Sequence, residues 1–195
     1  MKIKLPIKHI FVLGLTLGLI IVTKLAVIQP SMAQGLSVAQ TYIEGKNITG
    51  TLFFIERKDG SVQIKGEIQG DLTPGLHGLH IHSAGVCDPD VQPAFTTSGG
   101  HFDPGPFGSE VPVEANHPFH SGDLPNLYVD ENGYAKYNVV TSRVTLRESP
   151  VTVFDDNGSA IIIHQLQDLQ QAEGLAAQAG GGRIACGVIT HSYSS

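Results

Sequence analysis

The chain lacks tryptophan, has two cysteines, and carries few charged residues, which make up 15% of its 195 residues. It has instead 23 glycines and 11 prolines, residues that interrupt helices and shape tight turns. This balance favours many short strands joined by turns over a bundle of helices. A chain of this length holds one well-buried domain once any targeting segment is removed.

The first 33 residues contain no acidic residue, and their only charged side chains are Lys2, Lys4, Lys8 and Lys24. Without this segment the formal net charge falls from −6 by four charges, to −10. Nucleic acid is an unsuitable partner for a domain so acidic. We therefore expect no nucleic-acid partner.

The same segment has the pattern of an export signal. Lysines are followed by an apolar or small-residue run over 10–23, shorter than the about 20 residues of a membrane-spanning helix. Ser31-Met32-Ala33 then fits the small-x-small pattern before a cleavage site. We expect residues 1–33 to be a signal peptide, with an uncleaved membrane anchor as the alternative. The domain would be periplasmic or extracellular, or anchored facing that compartment, and a cleaved leader leaves no stable membrane association.

Cys87 and Cys186 both lie well beyond this leader. An even pair of cysteines in an exported chain predicts one disulfide, and a metal-thiolate site is the alternative that an oxidising compartment disfavours. Closing a loop of about 100 residues stabilises the fold by about 4–5 kcal/mol when the unfolded chain's entropy is counted.

Residues 34–47 show little pattern, and we interpret them as a lead-in before a domain at 48–195. Strands are predicted at 48–55, 62–68, 76–82, 126–129, 134–141, 160–164 and 184–190, with 151–154 as a further short strand and 166–178 as the one helical segment. Gly60 and Gly133 end turn sequences between neighbouring strands. Seven or eight short strands without a long helix predict an all-β antiparallel sandwich or barrel.

Two connections, 83–125 and 165–183, are too long to be simple turns. Loops of such length in a compact domain are usually functional. They contain, or are bounded by, nearly all the residues with catalytic or ligating chemistry.

Eight histidines follow the leader, and six of them lie between positions 77 and 120. His80 and His82 end a predicted strand and project from the same side of it, because successive strand residues alternate in direction. Two imidazoles on one side can hold one metal ion. His164 ends another apolar strand and could converge with them, whereas His77 is predicted to point the opposite way and to be structural.

The loop that follows adds further ligands. His101 lies in a Gly-Gly-His-Phe-Asp-Pro run, and His117 and His120 precede Asp123 closely. Imidazole and carboxylate together are the ligand types that zinc takes in proteins.

At this point the chain resembles the copper,zinc superoxide dismutases. Gly75-Leu76-His77-Gly78-Leu79-His80-Ile81-His82 is similar to their first copper-binding signature, and Gly182-Arg183-Ile184-Ala185-Cys186-Gly187-Val188-Ile189 to their carboxy-terminal one. The Gly-Gly-His-Phe-Asp-Pro, His-x-x-Asp-Leu-Pro and Ile-Ile-Ile-His elements occur between them in the family's order. The resemblance implies a Greek-key sandwich or flattened barrel of about eight strands. It also implies an oxidoreductase that converts superoxide into dioxygen and hydrogen peroxide with copper and zinc.

The resemblance assigns roles residue by residue. It implies four copper ligands, His80, His82, His101 and His164. His101 also bridges to zinc, and His120 and Asp123 match two further zinc ligands. Asp168 matches the carboxylate that orients one ligand of each metal, Arg183 the active-site arginine, and Cys87 and Cys186 the disulfide.

One position departs from the family pattern. Where the family usually has a second zinc histidine, about eight residues after the bridging one, this chain has Ser109. His117 is the expected replacement, and the alternative is a copper-only enzyme. Superoxide is the implied substrate, and a homodimer is one assembly compatible with the resemblance.

Two other classes of protein are weighed against the enzyme. An exported copper carrier without turnover would need no arginine for an anion, so Arg183 argues against it. A purely structural sandwich would leave six clustered histidines without a purpose.

Overall fold

β-Strands supply nearly all the regular structure of this protein, whose computed structural model describes residues 37–104, 120–170 and 179–192. They are β1 Val38–Gly45, β2 Ile48–Glu56, β3 Val62–Gly70, β4 Gly75–His77, β5 Leu79–His82, β6 Leu127–Val129, β7 Tyr134–Thr141, β8 Ala160–His164, β9 Arg183–Val188 and β10 Thr190–His191. Within these ranges the only helical element is one 3-10 turn, Thr96–Ser98.

Seven of the strands form a curled antiparallel sheet in the order β5-β8-β9-β1-β2-β3-β7, with β10 paired to β1, and β4 pairs separately with β6. Strands that are distant in the chain are neighbours in this seven-strand order at three places, β5-β8, β9-β1 and β3-β7. The described residues therefore confirm the all-β, Greek-key class.

The β2–β3 hairpin shows how the sequence pattern produces the core. Phe54 pairs with Ile64 across the hairpin, and both side chains are fully buried. Their neighbour Phe53 faces outward and is 40% exposed, as the period of two along a strand requires. Gly60, in the connecting turn, has φ +84°, a left-handed conformation that glycine adopts without steric cost.

The interpretation of residues 34–47 as a lead-in is wrong for most of the segment. β1 pairs with β2 along its whole length, from Val38 opposite Ile55 to Gly45 opposite Ile48. It also pairs with β9 and β10. β1 is therefore part of the barrel, and the domain begins before residue 48.

Three local predictions also need correction. Gly78 divides the strand predicted at 76–82 into β4 and β5. The segment 151–154 forms no strand, only one isolated bridge between Thr145 and Thr152. Residues 166–170 are not helical, because Leu166 bonds through its N–H to the Gly180 carbonyl and Asp168 bridges to Ala179. The rest of that predicted helix, 171–178, lies outside the described residues.

The predicted disulfide is confirmed. Cys87 and Cys186 are joined, with their Cα atoms 5.6 Å apart. The bond ties the 83–100 connection to β9, and Cys186 packs with Phe95 and Ile162 in a small cluster beside the main core. The long loop is thus anchored where it leaves the barrel.

Among the described residues, no helix is both long and apolar enough to cross a membrane. The predicted leader, residues 1–33, lies outside the described ranges.

Candidate metal centre

Three buried histidines each have one engaged and one unengaged ring nitrogen. His80 and His82 come from β5 and His164 from the end of β8, two strands that pair antiparallel. His80 Nε2 lies 2.8 Å from an Asp168 carboxylate oxygen. His82 Nδ1 and His164 Nδ1 each lie 3.0 Å from a backbone carbonyl oxygen. His80 Nδ1, His82 Nε2 and His164 Nε2 are buried without a hydrogen-bond partner.

Buried polar atoms without partners are costly, so three in one place need an explanation. The hydrogen bond at one nitrogen of each ring fixes the tautomer and leaves the lone pair of the other nitrogen available. Metal-binding histidines are held in this way. The orphaned nitrogens therefore fit a metal ion.

His101 completes this first group from the loop after β5. It forms an isolated bridge with His82, and its ring centroid lies 4.1 Å from that of His80. The ligand atoms of His80, His82, His101 and His164 all lie within 4.8 Å of one another. Imidazole ligands suit copper as well as zinc, iron and nickel, so this set is compatible with copper.

Burial keeps the three buried imidazoles of this group, those of His80, His82 and His164, neutral. It lowers the pKa of His82 to about 2, with repulsion from His101 adding to the effect. Burial likewise lowers the pKa of His164 to about 3, with His80 as the next cause. The pKa of His80 also falls through burial, which outweighs its hydrogen bond to Asp168. Neutral imidazole is the form that binds metal.

A second group shares His101 and adds oxygen ligands. His101 Nδ1 lies 2.6 Å from one carboxylate oxygen of Asp123, and His120 Nδ1 lies 3.4 Å from the other. The ligand atoms of the three residues also lie within 4.8 Å of one another. This donor set fits zinc. His117, the expected further ligand, lies outside the described residues, as does Ser109.

The electrostatics of the second group favour an ionised carboxylate. Burial opposes the ionisation of Asp123, but hydrogen bonds from His101 and His120 outweigh it and hold the pKa of Asp123 well below its usual range. In turn, the hydrogen bond to Asp123 raises the pKa of His120 against the effect of its burial.

Gly122 allows the turn that carries His120 and Asp123 to lie against β5. Its N–H bonds to the Phe102 carbonyl at 2.7 Å, and its carbonyl accepts the Ile81 N–H at 2.9 Å. A Cβ atom at position 122 would lie 2.3 Å from the Ile81 oxygen. Only glycine fits this approach, which brings the two groups of ligands together.

Gly180 has a similar role beside His164. It has φ +102°, and a Cβ atom there would lie 2.6 Å from the His164 Cβ and 2.8 Å from its Cγ. The backbone of the 165–183 loop thus packs directly on a ring of the first group.

Arg183, at the start of β9, is half-buried beside the first group. Its guanidinium donates to the Phe95 carbonyl at 2.8 Å, to the Ser98 hydroxyl at 3.0 Å and to the Gly99 carbonyl at 2.7 Å. Burial lowers the pKa of Arg183, although an arginine remains charged at neutral pH. The side chain is therefore a fixed cation at the edge of the site.

His77 is a member of neither ligand group, and it lies on β4, which Gly78 separates from the strand that bears His80 and His82. It is buried, with Nδ1 2.8 Å from the His164 carbonyl oxygen and Nε2 2.8 Å from the Thr73 carbonyl oxygen. Both ring nitrogens are engaged, which fits a structural role.

Asn126 and Gln170 contact Asp168 but are absent from the sequence predictions. Asn126 bonds to the backbone of Asp168 at two points, and the Gln170 N–H donates to its carboxylate. The sequence offers no periodic or motif signal for the Asn126 contact, because Asn126 and Asp168 are 42 positions apart.

An antiparallel barrel that holds three buried imidazoles and a fourth, partly buried one beside a His-His-Asp group defines a β-barrel metalloprotein with adjoining sites for two ions. A family model described as copper/zinc superoxide dismutase matches residues 48–189. The chain belongs to this family.

Relatives and solved structures agree with that placement. The chain is 36% identical over 167 residues to a protein named superoxide dismutase [Cu-Zn] from Photobacterium leiognathi, covering 82% of this chain and 88% of the relative. It is 31% identical over 162 residues to superoxide dismutase [Cu-Zn] 2 of Brassica juncea, covering 81% and 97%.

Two crystal structures have the same fold. One, of a double mutant of a SOD-like protein from Bacillus subtilis, superposes with a TM-score of 0.61 at 30% identity and covers 76% of this chain and 95% of the other. The other, of the clock protein EA4, gives a TM-score of 0.60 at 30% identity and covers 79% and 94%.

Proposed function

We propose that this protein is a superoxide dismutase, which converts two superoxide anions and two protons into dioxygen and hydrogen peroxide. Membership of the family supports this function. The observation that carries it is the convergence of three buried, unpartnered ring nitrogens with a fourth imidazole. Such a set has no purpose in a purely structural domain.

Copper is the metal that we assign to the first group, with His80, His82, His101 and His164 as ligands. Copper bound there supplies a centre that takes one electron from a superoxide anion and returns it to another. The barrel strands hold three of the four rings, and their outer hydrogen bonds fix which nitrogen faces the ion.

Zinc is assigned to the second group, with ligands His101, His120 and Asp123, and with His117 as the fourth. Zinc has no redox chemistry of its own, so zinc bound by this group would serve to hold the ring of His101, the residue that the two groups share. In the alternative, a copper-only enzyme, Asp123 alone would hold that ring through its 2.6 Å contact.

His101 is also the residue that we assign to proton transfer. Its Nδ1 is engaged on the Asp123 side, which leaves Nε2 on the copper side. A proton taken up and released at Nε2 can be delivered to the departing peroxide.

Arg183 is assigned to anion capture. A fixed guanidinium suits a small anion, and three hydrogen bonds to the 95–99 segment hold it in place. The 166–182 stretch contains no lysine but has Asp168 and Glu173. Long-range electrostatic guidance from this loop is therefore weak, and Arg183 provides most of the local attraction.

The Cys87–Cys186 disulfide supports our proposal that the chain is exported, to the periplasm or the cell exterior. The signal peptide at 1–33 remains a prediction of the sequence, as does the homodimer.

The test is metal content measured beside superoxide consumption. The chain, produced with and without residues 1–33, is loaded with both metals. One copper and one zinc per chain with turnover is the expected result. Copper without turnover above that of buffer would refute the dismutase and leave an exported copper carrier.

The zinc ligands need a separate experiment. His117→Ala and His120→Ala should each lower zinc content while copper remains at one per chain. Unchanged zinc in His117→Ala would remove that residue from the ligand set. Full activity without any zinc would establish the copper-only alternative.

A further inference from the structure

Asn126 holds Asp168 by a two-point contact that spans two loops. Its side-chain amide N–H donates to the Asp168 carbonyl oxygen at 2.8 Å. Its side-chain carbonyl oxygen accepts the Asp168 N–H at 2.8 Å. One amide side chain thus satisfies both backbone groups of a single residue, as a neighbouring strand would.

The Asp168 carboxylate is fixed as well. One oxygen accepts the Gln170 N–H at 2.6 Å, and the other lies 2.8 Å from His80 Nε2. Gln170 has φ +51°, a left-handed value that is uncommon outside glycine. Every polar atom of Asp168 is therefore engaged, and the residue is 7% exposed.

Asn126 lies three residues after Asp123, on the segment that carries the second group of ligands. Leu124, between them, is buried in the main core and offers its carbonyl to the Gln170 side chain at 3.4 Å. Hydrogen bonds from Asn126 to Asp168 and from Gln170 to Leu124 therefore join the segment that bears Asp123 to the loop that bears Asp168. Asn126 makes two of these bonds.

We propose that Asn126 is a positioning residue for the copper ligand His80, acting through Asp168 and tying the two halves of the site together. The proposal rests on the proposed function. With Asp168 in place, His80 carries its proton on Nε2 and presents Nδ1 to the metal. With Asp168 free to move, that preference is lost, and both tautomers of His80 become populated.

The decisive variant is Asn126→Asp, which keeps the size of the side chain and replaces the donor by an oxygen. It retains the acceptor for the Asp168 N–H but places a carboxylate oxygen against the Asp168 carbonyl. Asn138→Asp is the matched control. Asn138 accepts a hydrogen bond from Gln63 at 2.7 Å on the exposed face of β7, far along the sheet order from β5.

Three measurements are made on the full chain. NMR of the metal-free protein reports the His80 tautomer, chelator competition gives the copper affinity, and electron paramagnetic resonance reports the ligand field of bound Cu(II). We expect mixed His80 tautomers, copper binding weaker by about 10–100-fold and an altered resonance spectrum in Asn126→Asp, with none of these in Asn138→Asp.

A wild-type tautomer, affinity and spectrum in Asn126→Asp would overturn the proposal. If the variant does not fold, amide exchange of Asp168 in the wild-type protein decides: strong protection supports the clamp, and free exchange overturns it. Failure of the proposed function would be distinguishable, because it would appear as absent copper binding or turnover in the wild-type protein. The tautomer measurement on the metal-free protein would still test whether Asn126 positions His80 through Asp168.

Discussion

His82 and Arg183 hydrogen-bond to the same acceptor, the carbonyl oxygen of Gly99, at 3.0 Å and 2.7 Å. The ring that we assign to copper and the cation that we assign to superoxide are therefore positioned by one peptide group. The next hydrogen bonds of Arg183, to Phe95 and Ser98, lie on the same loop segment. The 95–99 segment thus positions both the His82 ring and the guanidinium that we assign to anion capture.

The first prediction concerns the charge of Arg183. Arg183→Ala should lower the second-order rate constant for superoxide by about 10–100-fold, because the local cation is lost, while copper remains at one per chain. The rate constant of Arg183→Lys should lie between those of the wild type and Arg183→Ala, since lysine keeps the charge but lacks the planar guanidinium. Pulse radiolysis gives the rates. Lys136→Ala, a charge removed from the exposed side of β7, is the control, and an equal effect there would contradict the assignment.

The second prediction is a loss of stability in acid for the metal-free protein. The pKa values of His82 and His164 fall to about 2 and about 3 in the folded state, below the ordinary 6.5. The unfolded chain therefore binds protons at these rings as pH falls below 6.5, while the folded chain does not. Each ring lowers the free energy of unfolding by about 1.4 kcal/mol per pH unit. The raised pKa of His120 opposes this loss of stability in part, because at that ring the folded chain binds the proton more tightly than the unfolded chain.

Urea unfolding of the metal-free protein at pH 7, 6 and 5 measures this dependence. His82→Asn should make the dependence of the free energy of unfolding on pH less steep, because one of the buried rings with a lowered pKa is removed. A free energy of unfolding that stays constant from pH 7 to 5 would show that these rings are not held in a neutral, desolvated state.

The third prediction separates structure from metal binding at His77. His77→Ala removes a buried ring and the polar contacts of its two nitrogens, so the free energy of unfolding should fall by about 2–4 kcal/mol. Copper content should remain at one per chain, because neither nitrogen faces the ligand group. Thermal unfolding and metal analysis test this, and loss of copper from a folded variant would place His77 in the site.

The fourth prediction concerns the disulfide. Its removal in Cys87→Ser/Cys186→Ser should lower the free energy of unfolding by about 4–5 kcal/mol, since the bond closes a loop of about 100 residues. Urea unfolding of the wild-type protein in the presence and absence of a reductant makes the same comparison without a mutation. Coincident midpoints would exclude this contribution.

Local pattern was enough to predict much of the barrel. In the β2–β3 hairpin, residues 62–68 alternate between apolar and polar side chains and follow a glycine turn, so both strands and their pairing followed from neighbouring residues. β8 was predicted with its observed bounds, because an apolar run ending in His164 is unambiguous. The clustering of histidines likewise indicated a metal site, and the family resemblance divided the ligands into two groups.

Elements held by distant contacts were not predicted. β1 alternates only weakly, with polar Thr41 among its buried residues, and its pairing with β9 and β10 involves residues about 140 or more positions away. The segment beginning at Leu166 has helix-forming residues, yet its described part is held in irregular form by bonds to Gly78 and Gly180. The role of Asn126 was not predicted for the same reason, since it depends on a contact with Asp168, 42 positions away.

Gly180 sets a limit on how this family member can change over time. Since a single added carbon at that position would collide with the side chain of His164, nearly every inherited substitution there should be purged by selection. Exposed positions of the same loop, such as Gln165 and Gln167, can change without such a collision. These exposed positions are therefore the ones at which the described part of the loop can vary between lineages or be altered by a protein engineer, whereas Gly180 cannot be replaced.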